Sequence, residues 1–226
     1  MTRAPAIRMA IIDYGLGNLY SVRQACAQVG LDPVLTSCPE ELATASAIIL
    51  PGVGAFGDAI QALHRLDLVA PLKDLAAAGK PLVGICLGLQ LLMTESHEFG
   101  RHPGLNLIAG SVLKFEQPRG SDRILKVPQV GWNAIRRPPG SGIGADPWAG
   151  TPLAPLADAE PMYFVHSFYA QPEQPDTVLC QSTYGHITFA SGLKKGNVYG
   201  FQFHPERSGP AGLALYRNLL TGIAQL

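Results

Sequence analysis

Short apolar runs alternate with amphipathic stretches over about the first 95 residues of the chain. Four of these runs are too short for a helix and predict buried strands. The four predicted strands are Ile7–Asp13, Pro33–Thr36, Ala47–Leu50 and Pro81–Ile85. Helical patterns are predicted between and after them, over Asn18–Val29, Asp58–Leu66, Val69–Ala78 and from Cys86 to about Thr94. This alternation predicts a parallel sheet with helices on both faces.

After residue 105, short strands separated by glycine and proline replace the alternation and predict a mixed or antiparallel extension. The predicted strands are Ser111–Phe115, Arg123–Val130, Met162–Val165, Val178–Tyr184, His186–Leu193 and Val198–Phe203, and a helix is predicted over Pro210–Ala224. The segment 137–155 is rich in proline and glycine, which predicts an exposed, poorly ordered loop. We therefore expect an α/β fold in one domain, residues 1–226, with three layers and a mostly parallel twisted sheet.

A cysteine lies between two glycines where the fourth predicted strand meets the next helix. The sequence Gly84-x-Cys86-x-Gly88 is the cysteine version of the nucleophile elbow. The sharp turn needs small residues two positions away on each side, and it lifts the sulfur above the sheet edge. A helix N-terminus there favours thiolate over thiol. We predict that Cys86 is a nucleophile; a buried cysteine in a glycine-rich turn is the alternative from this motif alone.

A histidine and a glutamate two residues apart end the last predicted strand. Because strand side chains alternate with period two, His204 and Glu206 can leave the strand tip in the same direction. This arrangement suits a general base and the carboxylate that orients it, with His204 taking the proton of Cys86. His166 follows another apolar strand and can face the site, but packing in the core is an equal alternative.

Composition and charge narrow the class of protein. The 226 residues carry 17 Lys+Arg and 17 Asp+Glu, and a neutral chain without a basic run argues against nucleic acid as the main partner. No apolar stretch approaches the ~18 residues needed to cross a bilayer. The 4 cysteines show neither a disulfide framework nor a metal-site spacing. We expect reduced thiols, a cytoplasmic location, no metal and no cofactor.

Two groups of motifs resemble a known family. Gly-Ile-Cys-Leu-Gly-Leu-Gln at 84–90, with His-Pro-Glu at 204–206, is similar to the triad glutamine amidotransferases, which take the amide nitrogen from glutamine. The motifs at 14–18, 50–54, 131–133 and 163–167 resemble one glutaminase branch of that family. The resemblance covers residues from about 8 to 222, and it implies a flavodoxin-like glutaminase fold.

The resemblance also implies the chemistry of the site. Cys86 would attack the glutamine amide and form a thioester, and His204, held by Glu206, would move the protons. The oxyanion donors would be the N–H of Leu87 and the Gly52–Val53 peptide. Adjacent glycines make rotation of that peptide inexpensive, so we expect it to control activity.

Contacts to the substrate are implied in the same way. Gln90 lies one turn beyond Cys86 on the same helix face. Glu98 matches the family position that receives the substrate ammonium, and Ser167 and Phe168 would offer backbone N–H groups to the α-carboxylate. Glutamine is therefore the expected substrate.

The family resemblance finally implies a partner, a cyclase subunit with a TIM-barrel fold that receives ammonia through an internal tunnel. Asn18, Trp132 and Arg207 match family positions near that interface, although Arg207 stands where lysine is common. We expect weak activity of the chain alone and activation by the partner. The alternatives are a glutaminase serving another synthase, a stand-alone γ-glutamyl cysteine hydrolase and a non-catalytic binding module.

Overall fold

The computed structural model describes residues 7–139 and 146–223, and its helices and strands follow the predicted alternation in the first half of the chain. The strands are β1 Arg8–Ile12, β2 Asp32–Thr36, β3 Ala47–Leu50, β4 Leu82–Ile85, β5 Met93–Ser96, β6 His102–Pro103, β7 Ile108–Lys114, β8 Gln129–Ile135, β9 Glu160–His166, β10 Phe168–Pro172, β11 Val178–Tyr184, β12 Ile187–Lys195 and β13 Val198–Phe201. The helices are α1 Leu19–Gln28, α2 Pro39–Thr44, α3 Phe56–Arg65, α4 Val69–Ala77, α5 Leu87–Leu91 and α6 Gly209–Ile223.

Eleven of the described strands form one large sheet. Its order is β2-β1-β3-β4-β13-β12-β10-β7-β5-β6, with β11 paired to β12. The first five strands in this order run parallel. Most of the others pair antiparallel, β5 with β7 excepted. The predicted α/β class with a mixed extension is confirmed, and the start of the order, β2-β1-β3-β4, is that of flavodoxin-like folds.

The parallel half brings the chemically interesting turns to one edge. β4 lies between β3 and β13, with Ile85 opposite Phe201 in the register. Carboxyl ends of neighbouring parallel strands meet at the same edge, where ligands bind in open α/β sheets. The glycine-rich loop after β3, the cysteine after β4 and the histidine after β13 are therefore neighbours.

Apolar residues alternate between the two faces of the sheet. On β1, Ala10 and Ile12 face the cluster that contains α3 and α5 residues, whereas Met9 and Ile11 face the one that contains α1 and α6 residues. β8 and β9 form a separate two-stranded ribbon whose inner face packs into the second cluster through Ile135, Met162 and Phe164. No helix among residues 7–139 and 146–223 is long and apolar enough to cross a membrane.

Several predicted boundaries were wrong. The helix after Cys86 ends at Leu91 instead of about Thr94, because the chain from Met93 pairs with β7 as β5. The strand predicted at Arg123–Val130 is β8, which begins at Gln129. β10 was not predicted, nor was α2, although proline at its first position and acidic residues in its first turn are helix-start signals.

The segment 137–155 also differs from the prediction. Residues 140–145 of it lie outside the described residues. Of the remainder, Trp148 is fully buried, donates its indole N–H to the carbonyl of Leu179 at 2.8 Å, and lies under the guanidinium of Arg137. Leu153 is fully buried as well. The described part of this segment is thus anchored in the core through Trp148 and residues 151–153, although residues 149, 150, 154 and 155 are exposed.

Candidate active site

Cys86 has a left-handed backbone conformation at the end of β4. Its φ and ψ are 57° and −109°, which are uncommon for a residue with a side chain and mark a strained turn. The N–H of Cys86 donates to the carbonyl of Phe201 at 2.7 Å, which fixes the turn to β13. The strain is held by this bond and by close packing around the turn.

The two glycines flanking Cys86 are required by that packing. A Cβ at Gly88 would overlap the carbonyl of Leu50 at the end of β3, and a Cβ at Gly84 would lie 2.6 Å from the Gly88 oxygen. No side chain fits at either position without moving backbone. The structure therefore has the small neighbours that the sequence motif predicts.

His204 and Glu206 form a buried pair beyond β13. The Nδ1 of His204 lies 2.7 Å from Oε1 of Glu206, and their side chains are 5% and 1% exposed. The backbone N–H of His204 donates to the backbone carbonyl of Tyr163 at 2.8 Å, which anchors the histidine to β9. The Nε2 of His204 is buried without a hydrogen-bond partner among the described residues. Because Nδ1 is held by Glu206, Nε2 is the ring nitrogen left for exchanging a proton.

Electrostatics favours the charged form of His204. Burial alone lowers its pKa, but Cys86 and Glu206 outweigh burial and raise the pKa to about 10. An imidazolium beside a sulfur and a carboxylate is stabilised by both. This arrangement suits a thiolate–imidazolium pair that is ready to attack a carbonyl and to protonate a leaving group.

The other three cysteines do not offer a comparable nucleophile. Burial raises the pKa values of the Cys26 and Cys180 thiols to about 12, so both remain protonated. Cys38 is exposed and donates to the carboxylate of Glu40 at 2.8 Å. Among the cysteines, only Cys86 combines a strained turn with a neighbouring histidine.

The loop after β3 packs directly against the elbow. A Cβ at Gly52 would clash with the Tyr14 hydroxyl and lie 3.0 Å from the Leu87 Cβ. The Tyr14 hydroxyl donates to the carbonyl of Pro51 at 2.7 Å, and burial, with a smaller effect of Cys86, raises the pKa of Tyr14. The structure thus brings the predicted oxyanion residues Gly52, Val53 and Leu87 to one place.

A cavity of about 430 Å³ opens at Cys86. Most of the residues that the sequence analysis named for catalysis or substrate binding line it. The lining residues are Val53, Gly54, Cys86, Leu87, Gln90, Glu98, Phe99, Lys114, Pro128, Val165, His166, Ser167 and Phe168. The volume suits a small amino acid.

Glu98 has a second role that was not predicted. Its Oε2 accepts the backbone N–H of Phe56, the first residue of α3, at 2.6 Å, although 42 residues separate them. This contact satisfies a free N–H at the helix start and places a carboxylate on the cavity wall. A single bond thus links the start of α3 to the predicted ammonium site.

His166 packs among aromatic side chains on the same wall of the cavity. Its Nδ1 pairs with the carbonyl of Phe168 at 2.8 Å, and burial lowers its pKa to about 4. It is therefore neutral at neutral pH, with Nδ1 as the donor and Nε2 as an acceptor. Its ring lies 5.1 Å from that of Phe115, so the packing role and the cavity position, posed as alternatives from sequence, occur together.

The sequence did not identify the lining residues Gly54, Phe99, Lys114, Pro128 and Val165, nor Tyr14 and Gln202 beside the cavity. Tyr14 was seen only as part of a glycine-rich turn, and its hydroxyl reaches the loop after β3. Gln202 was assigned to a strand, but it is fully buried and its amide lies 3.8 Å from the Cys86 sulfur. Gln202 and His204 are two positions apart at the end of the predicted strand, so period two predicts one common side for both, although β13 ends at Phe201.

The residues predicted near a partner surface are partly brought together. Trp132 is 59% exposed, and its ring lies 6.1 Å from that of Tyr163. The guanidinium of Arg207 lies 4.9 Å from the same tyrosine ring. Asn18 caps α1 instead, its side chain accepting the N–H of Ser21, a role that the sequence also predicts.

A metal is not suggested by the side chains. Within residues 7–139 and 146–223, no group of three or more histidine, cysteine, aspartate or glutamate side chains is arranged to hold a metal ion.

Comparison with known proteins gives the family. The model for "Glutamine amidotransferase class-I" matches residues 10–222. The HisH 1 subunit of imidazole glycerol phosphate synthase from Legionella pneumophila (strain Paris) is 40% identical over 212 residues, 94% of this chain and 98% of that protein. The HisH subunit from Geobacter metallireducens is 42% identical over 215 residues, 93% of this chain and 96% of that protein.

Solved structures support the fold. The structure of PurLQS from Thermotoga maritima aligns with a TM-score of 0.71 at 20% identity, covering 96% of this chain and 98% of that one. A glutamine amidotransferase crystal structure aligns with a TM-score of 0.69 at 16% identity, covering 95% and 98%. At these identities the likeness concerns the fold alone. The chain belongs to the class-I glutamine amidotransferases and, within them, to the HisH subunits of imidazole glycerol phosphate synthase.

Proposed function

We propose that this chain hydrolyses glutamine to glutamate and ammonia at Cys86 and passes the ammonia to a cyclase subunit. One observation carries the proposal: the left-handed Cys86 turn lies beside the buried His204–Glu206 pair at the carboxyl edge of the sheet. A fixed nucleophile next to an oriented proton carrier is the arrangement that acyl transfer requires.

The first half of the reaction forms a thioester. The Cys86 thiolate attacks the amide carbon of glutamine, and a C–S bond forms while the carbonyl oxygen becomes an oxyanion. The His204 imidazolium gives its proton to the amide nitrogen. The C–N bond then breaks, and ammonia leaves with that proton. Glu206 holds the imidazole through Nδ1, so we assign the proton transfers to Nε2.

The second half releases glutamate. Neutral His204 takes a proton from water as the water attacks the thioester carbon. The C–S bond breaks, Cys86 leaves as thiolate, and the new γ-carboxylic acid of glutamate gives the second proton of that water to solvent and becomes a carboxylate. The imidazolium is regenerated, so the site returns to its starting charge state.

Both tetrahedral intermediates carry a negative oxygen that needs donors. We assign this role to the N–H of Leu87, the residue after the nucleophile, and to the Gly52–Val53 peptide packed beside it. Loss of one such donor typically costs on the order of a hundredfold or more in rate. A movable Gly52–Val53 peptide would therefore regulate turnover without changing Cys86.

Substrate recognition is assigned to the cavity wall. The Glu98 carboxylate suits the α-ammonium group of glutamine. Its Oε2 is already bound to the N–H of Phe56 at the start of α3, which holds the carboxylate in place and leaves Oε1 for the substrate. Backbone N–H groups at Ser167 and Phe168 suit the α-carboxylate. Gln90, anchored through its Nε2 to the Phe168 carbonyl at 3.0 Å, lines the same cavity as these groups and Cys86.

The partner is assigned to the outer face of the β8–β9 ribbon. Val130 and Trp132 are 60% and 59% exposed there, next to Tyr163 and Arg207. Exposed aromatic and arginine side chains are enriched at protein interfaces. Ammonia that escapes to water becomes ammonium and stops being a nucleophile. Direct transfer therefore requires that the cyclase bind to this chain, and we assign that binding to this surface. We assign the cyclase to histidine biosynthesis, where it makes imidazole glycerol phosphate and aminoimidazole carboxamide ribotide.

The test is a glutaminase assay with glutamate and ammonia as readouts. The purified chain, alone and with the cyclase and its nucleotide substrate, is compared with Cys86→Ala under the same conditions. We expect weak turnover alone, strong activation by the liganded cyclase, and none with Cys86→Ala. Full activity of the isolated chain would favour a stand-alone γ-glutamyl hydrolase. Undiminished activity of Cys86→Ala would end the proposal.

A further inference from the structure

Gln202 connects the nucleophile to the substrate-binding wall. Its side chain is fully buried. Its Nε2 donates to the sulfur of Cys86 at 3.8 Å, and its Oε1 accepts from Nε2 of Gln90 at 3.2 Å. Gln90 also donates to the carbonyl of Phe168 at 3.0 Å. A continuous row of hydrogen bonds thus runs from Cys86 to the cavity wall near Phe168.

The direction of this row is fixed by donor and acceptor types. The Nε2 of Gln90 is bound to a carbonyl, which only accepts, and a donor nitrogen must meet an oxygen on Gln202. The Oε1 of Gln202 therefore faces Gln90, and its NH₂ group faces Cys86. A flipped Gln202 amide would place two NH₂ groups against each other and is excluded.

Cys86 has a second contact of the opposite kind. Its sulfur lies 3.9 Å from the carbonyl of Val165. A carbonyl accepts only from S–H, whereas the NH₂ group of Gln202 donates to a sulfur lone pair. The thiol can therefore use Val165, and the thiolate can use Gln202. Hydrogen bonds to an ionised partner are roughly twice as strong as neutral ones, so Gln202 acts mainly on the thiolate.

We propose that Gln202 is a positioning residue that holds the thiolate of Cys86 in its attacking orientation, and that Gln90 holds Gln202. The proposal rests on the proposed function, since it takes Cys86 as the nucleophile. It deepens that function by joining a residue of the substrate-binding wall to the reactivity of the sulfur. Gln202 does not line the cavity, so its action on substrate passes through its neighbours.

Alkylation of Cys86 by iodoacetamide tests the proposal without a partner or glutamine. The exposed Cys38 is first changed to Ser in every variant, so that the measured alkylation rate is that of Cys86. Gln202→Met keeps the shape and removes both polar atoms. We expect alkylation at neutral pH to slow by about 10-fold, because the sulfur loses the contact that holds it in its attacking orientation.

Two further variants separate positioning from folding. Gln202→Glu keeps the acceptor for Gln90 but loses the donor to Cys86, so it should slow alkylation at least as much as Gln202→Met. Gln90→Met leaves Cys86 untouched but releases Gln202, so it should also slow alkylation. The double variant Gln90→Met/Gln202→Met should be no slower than Gln202→Met, because the two residues act in series.

Melting temperatures and alkylation rates together distinguish a positioning role of Gln202 from a packing role. Variants with lowered melting temperatures but an unchanged alkylation profile would overturn the proposal and leave Gln202 a packing residue. Additive effects of the two single variants would overturn the link through Gln90. Glutamine hydrolysis by Cys86→Ala would instead overturn the proposed function. In the assay with the cyclase, kcat should fall by about 10- to 100-fold in Gln202→Met while KM changes little.

Discussion

The Nδ1 of His204 lies 2.7 Å from Oε1 of Glu206, and both side chains are almost completely shielded from water. Burial opposes the charge on the imidazolium, yet Cys86 and Glu206 raise its pKa to about 10. The pair therefore keeps its proton through the neutral range. Because the imidazolium protonates the departing ammonia, the pH dependence of turnover should reflect this raised pKa.

We expect kcat/KM of the wild-type chain to remain level from neutral pH up to about pH 9 and to fall as pH rises through about 10. A raised pKa means that the charged form is complete below the ordinary value of 6.5 and is lost only near the raised value. The measurement is the rate of glutamate release between pH 6 and 11 with the cyclase present. A decline centred near 6.5 would contradict the assignment of His204.

Glu206→Gln removes one of the two groups that raise the pKa of His204. The amide can hold the wrong imidazole tautomer, so kcat should fall on the order of 10²- to 10⁴-fold. The alkaline decline should also move to lower pH. The exposed Glu173→Gln provides the control for a lost carboxylate and should match the wild type. Retained activity in Glu206→Gln would remove Glu206 from the triad.

Tyr14→Phe removes the hydroxyl that binds the carbonyl of Pro51 at 2.7 Å. The peptide next to the predicted oxyanion donor then loses its anchor, and we expect glutaminase activity to fall about 10-fold. The free energy of unfolding should fall by only ~1–3 kcal/mol, the cost of a buried carbonyl left unpaired. Kinetic assays and urea denaturation measure the two effects separately.

Tyr184→Phe is the matched control for that variant. The Tyr184 hydroxyl also donates to a backbone carbonyl at 2.7 Å, that of Lys126, but Tyr184 does not line the cavity. It should lose some stability and keep its activity. Equal losses of activity in both variants would mean that the Tyr14 hydroxyl has no special relation to the oxyanion loop.

Trp148→Ala should destabilise the protein by about 3–5 kcal/mol, as truncation of a fully buried tryptophan does. The variant also leaves the Leu179 carbonyl without the indole donor. The exposed Trp132→Ala serves as its counterpart and should change stability by less than about 0.5 kcal/mol. Urea denaturation of both variants measures the difference. A small effect of Trp148→Ala would mean that the segment around Trp148 does not pack into the core.

Trp132→Ala should weaken binding to the cyclase by about 10-fold or more, because exposed aromatic anchors carry much of an interface's binding energy. Calorimetric titration of the cyclase into each variant measures this. Ile124→Ala, which removes a side chain of the same 59% exposure, is the control and should bind like the wild type. Wild-type affinity in Trp132→Ala would place the cyclase elsewhere on the molecule.

The fold of the parallel half was predictable because its signals are local. Apolar runs at Ala47–Leu50 and Pro81–Ile85 match β3 and β4 within one residue. The family, the enzyme class and the α/β class, predicted largely from the motifs around Cys86 and His204, are confirmed. The roles of individual site residues stay predictions until they are tested by mutation.

The remaining features depend on contacts that no local pattern contains. The apolar spacing after Leu91 favours a continued helix, but pairing of β5 with β7 outweighs that local preference. The buried Trp148 lies in a proline- and glycine-rich segment without periodicity. Gln202 reaches a sulfur 116 residues away along the chain, a relation that only the folded sheet creates.

The close backbone packing at Gly88 restricts which part of the active site can change conformation. A methyl group at Gly88 would overlap the Leu50 carbonyl, so the backbone of the elbow and the backbone at the end of β3 are in direct contact. This contact leaves little room for either segment to shift relative to the other. The hydroxyl of Tyr14 extends that fixed base to Pro51. We therefore expect any rearrangement that a partner induces in this loop to occur within the three residues Gly52–Gly54, with the sulfur of Cys86 kept in place.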